Sequence, residues 1–283
     1  MTELQVVEWL KRAAPSTGRG VVLGIGDDCA IFRPRGSADD LLFTTDQFIE
    51  GVHFRSNDSP ESIGHRALGR GLSDIAAMGG DPRFCLLSLT KPRHVKEKWV
   101  KRFYRGLFKL ADRTRTVLAG GDLSSGKVLA CDIVVCGAVR RGGALRRDGA
   151  RPGDRIYVSG PLGGPSSQGY APRMFEPRLK LGRKIRASAC IDITDGLALD
   201  LHRLCLASNV GAKLEIVPLA TGASERDALC GGDEYELLFT GQVSVPGCIE
   251  IGTVERGNPG EIRLRGVPID PCGHDHFRNQ QQL

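Results

Sequence analysis

The sequence predicts a mixed α/β protein built from two domains. Two observations predict it: strand-like and helix-like patterns alternate along both halves of the 283 residues, and the composition changes at 140–154, which is rich in Arg and Gly. Hydrophobic residues make up 41% and charged residues 25% of the chain, as expected for a globular protein with a core. We therefore expect an N-terminal domain over 1–142 and a C-terminal domain over 143–283.

The first half is expected to alternate between helices and strands. Residues Thr2 to Gln5 have the pattern of a capping box that opens a helix over 2–13. The other predicted elements are strands at 21–25 and 41–45, a helix at 61–78, a strand at 84–89, a helix at 95–110, and strands at 116–119 and 129–139. The Gly-rich residues 120–126 predict a turn between the last two strands.

The second half shows the same alternation with shorter elements. We predict a strand at 156–159, a Gly-rich loop at 160–164, a strand at 190–193, a helix at 196–207, and strands near Leu214, Leu237, Ile249 and Ile262. The polar residues Arg278 to Leu283 predict a frayed tail.

Charge and cysteine content limit the function classes. The net charge is +6, but the basic residues are scattered, so an anionic small substrate fits as well as a polynucleotide, and we expect no nucleic acid. Nine cysteines without a CxxC pair or zinc-ligand spacing favour a reducing cytoplasm over a disulfide framework. The longest apolar run, Val128 to Val139, is too short to span a bilayer and contains Asp132, so we expect no membrane association.

Acidic residues recur where apolar strands are predicted to end. They are Asp28, Asp46, Asp122, Asp192, Asp195 and Asp233, and the helix at 61–78 adds Asp74. One such Asp is more often a turn or cap residue, but acids gathered at several strand ends repel one another unless cations neutralise them. Carboxylates without neighbouring His or Cys favour Mg²⁺ over Zn²⁺, and several of them beside Gly-rich backbone suit a polyphosphate such as ATP.

If the site transfers a phosphoryl group, a phosphate monoester is an acceptor that needs no catalytic base. Its oxygen has a second pKa near ~6 and is already largely deprotonated, so no catalytic base is needed. The chain lacks both the GxxxxGK[ST] loop and the HRD and DFG motifs, which excludes the common kinase scaffolds.

The motifs match one family in order. They are Gly24–Ala30, Thr44–Asp46 with Glu50–Phe54, Leu72–Gly80, Gly120–Asp122, Asp192–Leu197 and Gly232–Leu237. From about residue 20 to Phe277, the chain resembles the thiamine-monophosphate kinase family. That resemblance implies the fold of aminoimidazole ribonucleotide synthetase, in which the N-terminal sheet forms a homodimer and a C-terminal α/β domain completes the site. It also implies transfer of the ATP γ-phosphate to thiamine monophosphate with several Mg²⁺ ions.

The resemblance also implies a role for individual residues. The implied magnesium ligands are Asp28, Thr44, Thr45, Asp46, Asp74, Asp122, Asp192 and Asp195, of which Asp46 and Asp122 are the predicted catalytic residues. The implied nucleotide contacts are Tyr104, Gly121, Asp122, Arg147 and Thr194. The implied substrate contacts are His53 and Asp233.

The chain departs from the family pattern in its second half. The segments 165–189 and 218–231 are short, the acids of Gly232–Tyr235 stand in exchanged order, and Pro271-Cys272 occupies the place of a substrate-facing aromatic. Two alternatives therefore stay open at this point. One is another enzyme of the same ATP-binding superfamily, and the other is a nucleotide- or metal-binding regulatory protein without turnover.

Overall fold

A computed structural model of the chain describes residues 2–14 and 17–277, which form two β-sheets with a buried helix between them. The helices are α1 Glu3–Ala13, α2 Pro60–Ala77, α3 Glu97–Thr114, α4 Gly164–Ser167, α5 Leu179–Gly182, α6 Leu197–Ser208 and α7 Glu225–Cys230, with a 3₁₀ turn at Arg147–Gly149. The strands are β1 Val21–Leu23, β2 Ala30–Phe32, β3 Asp39–Ile49, β4 Asp81–Lys91, β5 Val117–Ser125, β6 Ala130–Arg140, β7 Arg155–Val158, β8 Ala189–Ile193, β9 Gly211–Leu214, β10 Glu236–Gly241, β11 Ile249–Glu255, β12 Ile262–Leu264 and β13 Val267–Ile269. The predicted tail Arg278–Leu283 lies outside the described residues.

The N-terminal sheet has the strand order β1-β2-β3-β6-β4-β5, and β5 lies at its edge, parallel to β4. Side chains alternate between its two faces because the strand repeat is two residues. Leu87, Ile133 and Val135 are buried on the face covered by α2 and α3. The opposite face carries exposed polar residues, among them Ser88 and Asp132.

Helix α2 is buried on nearly every side. Fifteen of its eighteen residues are buried, as expected for a helix between two layers rather than on a surface. It crosses α3 at two glycines: a Cβ at Gly64 would lie 2.0 Å from the Phe103 carbonyl oxygen, and one at Gly106 would lie 1.9 Å from the Glu61 carbonyl oxygen. The close crossing therefore depends on the absence of a side chain at both positions.

The C-terminal sheet has the order β13-β12-β9-β11-β7-β10-β8 and is antiparallel except between β9 and β12. Its alternating side chains build two cores. Tyr157 and Phe239 belong to the cluster that includes α2, whereas Ile156, Val158 and Leu238 pack in the cluster that includes α6. Helix α2 thus contributes to a core shared by both halves of the chain.

Most elements agree with the sequence analysis. The α1 capping box is confirmed, since the Thr2 side chain accepts from the Gln5 backbone and the Gln5 side chain accepts in return. The turn predicted at 120–126 is wrong, because the residues up to Ser125 continue β5 in register with β4. The boundary between 1–142 and 143–283 stays a prediction, with one sheet on either side of it. No helix in the described part of the chain has the length and apolarity needed to cross a membrane.

One disulfide was missed by the sequence analysis. Cys230, at the end of α7, is bonded to Cys272, 42 residues further along the chain, while the other seven cysteines are free. Six of the free thiols are buried, which agrees with their positions in apolar runs. The expectation that the cysteines form no disulfide framework did not anticipate this single pair.

Candidate active site

A cleft of about 1300 Å³ lies where the two halves of the chain meet. Its walls come from α1, residues 45–58, α2, residues 192–195, residues 232–233 and residues 274–277. Pockets for one small ligand measure about 300–1,000 Å³, so this volume suits two ligands side by side.

Three carboxylates from distant parts of the chain converge at this cleft. Asp28 follows β1, Asp74 is on α2 and Asp192 is in β8, yet one oxygen of each lies within 4.8 Å of the others. Burial, followed by repulsion from neighbouring carboxylates, raises the pKa of Asp74 and Asp192 well above the usual value. The side chains are held by hydroxyl donors, Thr44 to Asp74 and Ser73 to Asp192, the latter at 2.5 Å.

The donor set fits magnesium. Oδ2 of Asp28 and Oδ2 of Asp46 are buried and have no hydrogen-bond partner in the described structure. Buried acceptors without a donor are costly, and a cation would satisfy them. All these donors are carboxylate oxygens, which hard cations such as Mg²⁺ prefer. Burial also raises the pKa of Asp46. The Asp46 side chain lies near α2, on the same face of β3 as Thr44.

Arg147 borders the carboxylates from the 3₁₀ turn. Its guanidinium is ion-paired with Asp28, and its backbone N–H donates to Oδ2 of Asp27 at 3.1 Å. Burial and the Asp28 charge raise the pKa of Asp27 to about 7. Asp27 was not singled out from the sequence, although the doubled acid Asp27-Asp28 was the available signal.

The loop after β8 is fixed by a buried carboxylate. Asp200 accepts from the backbone N–H groups of Thr194, Asp195 and Gly196 at 3.0, 3.0 and 3.3 Å. Arg203 pairs with both Asp200 at 2.8 Å and Asp195 at 2.5 Å. Asp195 therefore lies on the cleft wall already paired with a cation, apart from the three converging carboxylates, and Thr194 lies beside it.

The other end of the cleft carries arginines that the sequence analysis missed. Arg66 and Arg70 lie two turns and one turn before Asp74 on α2, and both approach Asp233, at 3.2 and 3.6 Å. The successive four-residue spacing of Arg66, Arg70 and Asp74 was the available signal. Asp233 and Tyr235 both adopt left-handed backbone conformations, with φ of 62° and 54°, which is uncommon outside glycine and concentrates at functional sites.

His53 lies at this end as a neutral imidazole. Its Nδ1 accepts from the Ile49 backbone N–H at 3.0 Å. Burial, followed by the Arg70 charge, lowers the pKa of His53 to about 3. The ring is 5.2 Å from that of His276, measured between centroids, so the predicted substrate residue contacts the C-terminal segment.

The C-terminal segment 272–277 forms part of the cleft wall. Cys272 is bonded to α7, and the His274 backbone N–H donates to the Asp195 carbonyl oxygen at 2.9 Å. His274, His276 and Phe277 then line the cleft. Aromatic rings are thus present near His53, although Pro271-Cys272 occupies the position where the family pattern led us to expect one.

Three predicted nucleotide contacts lie outside this site. Tyr104 is half-buried on α3 against Phe103, and Gly121 and Asp122 are exposed within β5. Gly121 belongs to the same row of the sheet as Asp46 but lies three strands away, about 14 Å at the usual spacing. Asp122 points to the opposite face from Asp46, as does Thr45. Within one chain, Asp122 is therefore separated from the other carboxylates, and its role as a metal ligand stays a prediction.

Comparison with known proteins agrees with this arrangement. Residues 26–139 match the family described as AIR synthase related protein, N-terminal domain. The thiamine-monophosphate kinase of Salmonella typhimurium is 35% identical over 305 residues, covering 91% of this chain and 92% of that protein. The chain belongs to the thiamine-monophosphate kinase family. The family and the kinase class predicted from the sequence are confirmed.

Solved structures of the family share the fold of the chain. The structure of AaThiL complexed with AMPPCP and TMP matches with a TM-score of 0.86 at 29% identity, covering 98% of this chain and 97% of that chain. The thiamine-monophosphate kinase from Stenotrophomonas maltophilia K279a matches with a TM-score of 0.75 at 31% identity, covering 94% and 96%. The predicted mixed α/β fold class is confirmed, and the shortened segments of the second half do not change it.

Proposed function

We propose that the chain transfers the γ-phosphoryl group of ATP directly to the phosphate of thiamine monophosphate, giving thiamine diphosphate and ADP. The observation that carries this proposal is the convergence of Asp28, Asp74 and Asp192 within 4.8 Å on a cleft large enough for two ligands. A family member solved with AMPPCP and TMP supports the same pair of ligands.

Magnesium is the proposed cofactor, and we expect several ions. Asp28, Asp74 and Asp192 would hold it, with Asp46, Asp195 and the hydroxyl of Thr44 as further proposed ligands. When bound, Mg²⁺ neutralises the charge of the ATP phosphates and of the phosphoryl group in transit. The raised pKa values of Asp74 and Asp192 agree with a site that ionises fully only beside a cation.

The residues of the chain position the reactants rather than remove a proton. The acceptor oxygen of a phosphate monoester is largely ionised near neutral pH, so it attacks without a base. Arg147, fixed by Asp27 and Asp28, and Thr194 are the proposed nucleotide contacts on the wall. His53 and Asp233, at the other end of the cleft, are the proposed contacts of the acceptor. The two ends of the cleft then hold donor and acceptor side by side.

We also propose a homodimer that brings Tyr104, Gly121 and Asp122 to the site of a second copy. Strand β5 is an unpaired sheet edge in the described structure, and Val117 and Leu123 on it are 61% and 69% exposed. Exposed edges with apolar side chains are normally covered. A composite site would explain why Gly121 lies about 14 Å from Asp46 within one chain.

Product analysis tests the function. The protein is incubated with Mg²⁺, ATP and thiamine monophosphate, and thiamine diphosphate and ADP are expected in equal amounts. ADP alone would indicate an ATPase, a different acceptor would indicate another enzyme of the superfamily, and no ADP would indicate a regulatory protein. Asp46→Asn is expected to abolish turnover and to leave the fold intact, which circular dichroism would check.

Mixing inactive variants tests the composite site. Asp46→Asn and Asp122→Asn are each expected to be inactive alone. If one site uses Asp46 of one copy and Asp122 of the other, mixed dimers regain one intact site, and activity returns on subunit exchange. A mixture that stays inactive after demonstrated exchange would show that both residues act in the same chain.

A cytoplasmic location also remains a proposal, supported by the seven free cysteines.

A further inference from the structure

Helix α2 presents a row of charged side chains to the cleft. Arg66, Arg70 and Asp74 are spaced by four residues, so they follow one face of the helix about 6 Å apart. Asp74 belongs to the carboxylate group that we assign to magnesium. Arg70 is the next residue along this row, and both Arg70 and Asp74 line the cleft. The row therefore places a guanidinium one helical turn from the proposed metal site.

The guanidinium of Arg70 is held in one orientation by aromatic rings. Its carbon lies 5.6 Å from the centroid of the Phe48 ring and 5.9 Å from that of Tyr235. Nη1 donates to the Tyr235 hydroxyl at 2.8 Å, and that hydroxyl donates to Oδ1 of Asp233 at 2.8 Å. A planar group fixed in this way has little conformational freedom left to lose when it binds an anion.

Most of the donors of Arg70 are not satisfied by the protein. Its nearest carboxylate contacts, Asp46 at 3.7 Å and Asp233 at 3.6 Å, are beyond hydrogen-bonding distance. Nε is buried and has no hydrogen-bond partner among the described residues. Arg66 differs, because it donates to the His53 carbonyl oxygen at 3.0 Å and to Asp233 at 3.2 Å. Arg66 is therefore used by the protein, whereas Arg70 is available to a ligand.

We propose that Arg70 binds the phosphate group of the acceptor, and that Tyr235 positions it. This inference rests on the proposed kinase function and adds the residue that recognises the acceptor as a phosphate ester. The guanidinium fork matches two phosphate oxygens, and its charge offsets their negative charge. A phosphate bound there would lie about one helical turn from the carboxylates proposed to hold magnesium, which suits an attack that needs reacting atoms about 3–3.5 Å apart. Unphosphorylated thiamine lacks the group that Arg70 binds.

Steady-state kinetics test the role of Arg70. Arg70→Met is expected to raise KM for thiamine monophosphate by about 30- to 100-fold and to leave KM for ATP within about twofold, because the charged hydrogen bonds are lost only to the acceptor. Arg70→Lys keeps the charge without the fork, and a rise of about tenfold is expected. Equal rises in both KM values, or an unchanged KM for thiamine monophosphate in either variant, would overturn the proposal.

A matched control and a positioning variant sharpen the result. Arg105 on α3 has a side chain that is 71% exposed, and Arg105→Met is expected to change neither KM. Tyr235→Phe removes one hydroxyl contact to Arg70, and a rise of about two- to tenfold in KM for thiamine monophosphate is expected with kcat unchanged. A fall in kcat with unchanged KM would contradict the positioning role of Tyr235.

Inorganic phosphate separates this inference from the proposed function. Phosphate binding to the protein without nucleotide is measured by calorimetry, with no thiamine compound present. The wild type is expected to bind, and both Arg70 variants are expected to lose at least about tenfold in affinity. Equal phosphate affinity in wild type and variants would overturn the role of Arg70 whatever the acceptor is. The kinase function fails separately, if the wild type forms no thiamine diphosphate.

Discussion

Asp192→Asn is expected to stabilise the metal-free protein while abolishing its activity. Asp28, Asp74 and Asp192 offer oxygens within 4.8 Å of one another. Coulomb's law at that distance, with an effective dielectric constant of about 20, gives about 3.5 kcal/mol of repulsion for each fully charged pair. The substitution removes two of the three pairs. Protonation, favoured by the raised pKa of Asp74 and Asp192, already relieves part of this repulsion, so the expected gain is about 1–3 kcal/mol.

The assay is thermal unfolding with and without magnesium. In EDTA, the variant is expected to unfold about 2–10 °C above the wild type, since about 1 kcal/mol corresponds to about 2–4 °C in a chain of this size. In excess Mg²⁺ the order is expected to reverse, because only the wild type gains the full stabilisation of the bound ion. The amide oxygen still accepts from Ser73, which donates to Asp192 at 2.5 Å, so this contact is retained.

Asp200→Asn is the matched control. Asp200 is equally buried, but its carboxylate accepts three backbone N–H groups and pairs with Arg203. An amide keeps one acceptor oxygen for the backbone N–H groups but loses the charge that pairs with Arg203, so a loss of about 1–3 kcal/mol is expected with or without Mg²⁺. If Asp192→Asn lowers the melting temperature in EDTA as Asp200→Asn does, then repulsion among the carboxylates is not the dominant effect, and the assignment of a cation site loses its physical basis.

Three further substitutions test the fold around the cleft. Gly106→Ala would bring a Cβ to 1.9 Å from the Glu61 carbonyl oxygen, so a loss of at least about 1–3 kcal/mol is expected in denaturant unfolding. The pKa of His53 is lowered from 6.5 to about 3, so the wild type loses stability as the pH falls through that range, because the unfolded chain takes up the proton first. His53→Asn is expected to remove this part of the acid sensitivity in melts at pH 7 and pH 4. Cys272→Ser breaks the bond to Cys230, and a loss of about 2–4 kcal/mol is expected in non-reducing buffer.

Each of these has a control in the same chain. A Cβ at Gly257 meets open space, so Gly257→Ala is expected to be neutral, and equal stability of the two alanine variants would refute the close helix crossing. His94 is exposed, and His94→Asn is expected to leave acid sensitivity unchanged. Cys248→Ser, which replaces a free thiol, is the control for Cys272→Ser. An unaltered melting curve for Cys272→Ser would show that the bond does not stabilise the fold.

The local patterns of the sequence predicted most of the fold. The capping box at Thr2, the apolar stripe of α3 and the alternating strands depend on neighbours only a few residues apart, which a sequence displays directly. The turn predicted at 120–126 was wrong because Gly and Asp favour turns locally, whereas pairing with β4 satisfies the backbone of an edge strand. The short helices α4, α5 and α7 are too small to show a period.

The candidate site was predictable where residue type alone indicates chemistry. Asp28, Asp74 and Asp192 were selected as oxygen ligands, and they converge. The roles of Arg66 and Arg70 could not be selected, because a cation on a helix is usually solvated and its burial depends on packing between the two halves. Asp122 was also selected, but its side chain points to the opposite face of the sheet from Asp46. A motif carries no information about the strand register that decides this.

The shared position of α2 has a consequence for how ligands enter. A hinge motion that separated the two halves would have to break the packing of α2 against one of them, since this helix is part of the core that both halves share. We expect ligands to enter past the outer wall instead. There the backbone N–H of Glu3 in α1 donates to Asp275 at 3.3 Å, and the two ends of the described chain meet. The carboxylates of α2 and β8 would then keep their positions while ligands enter.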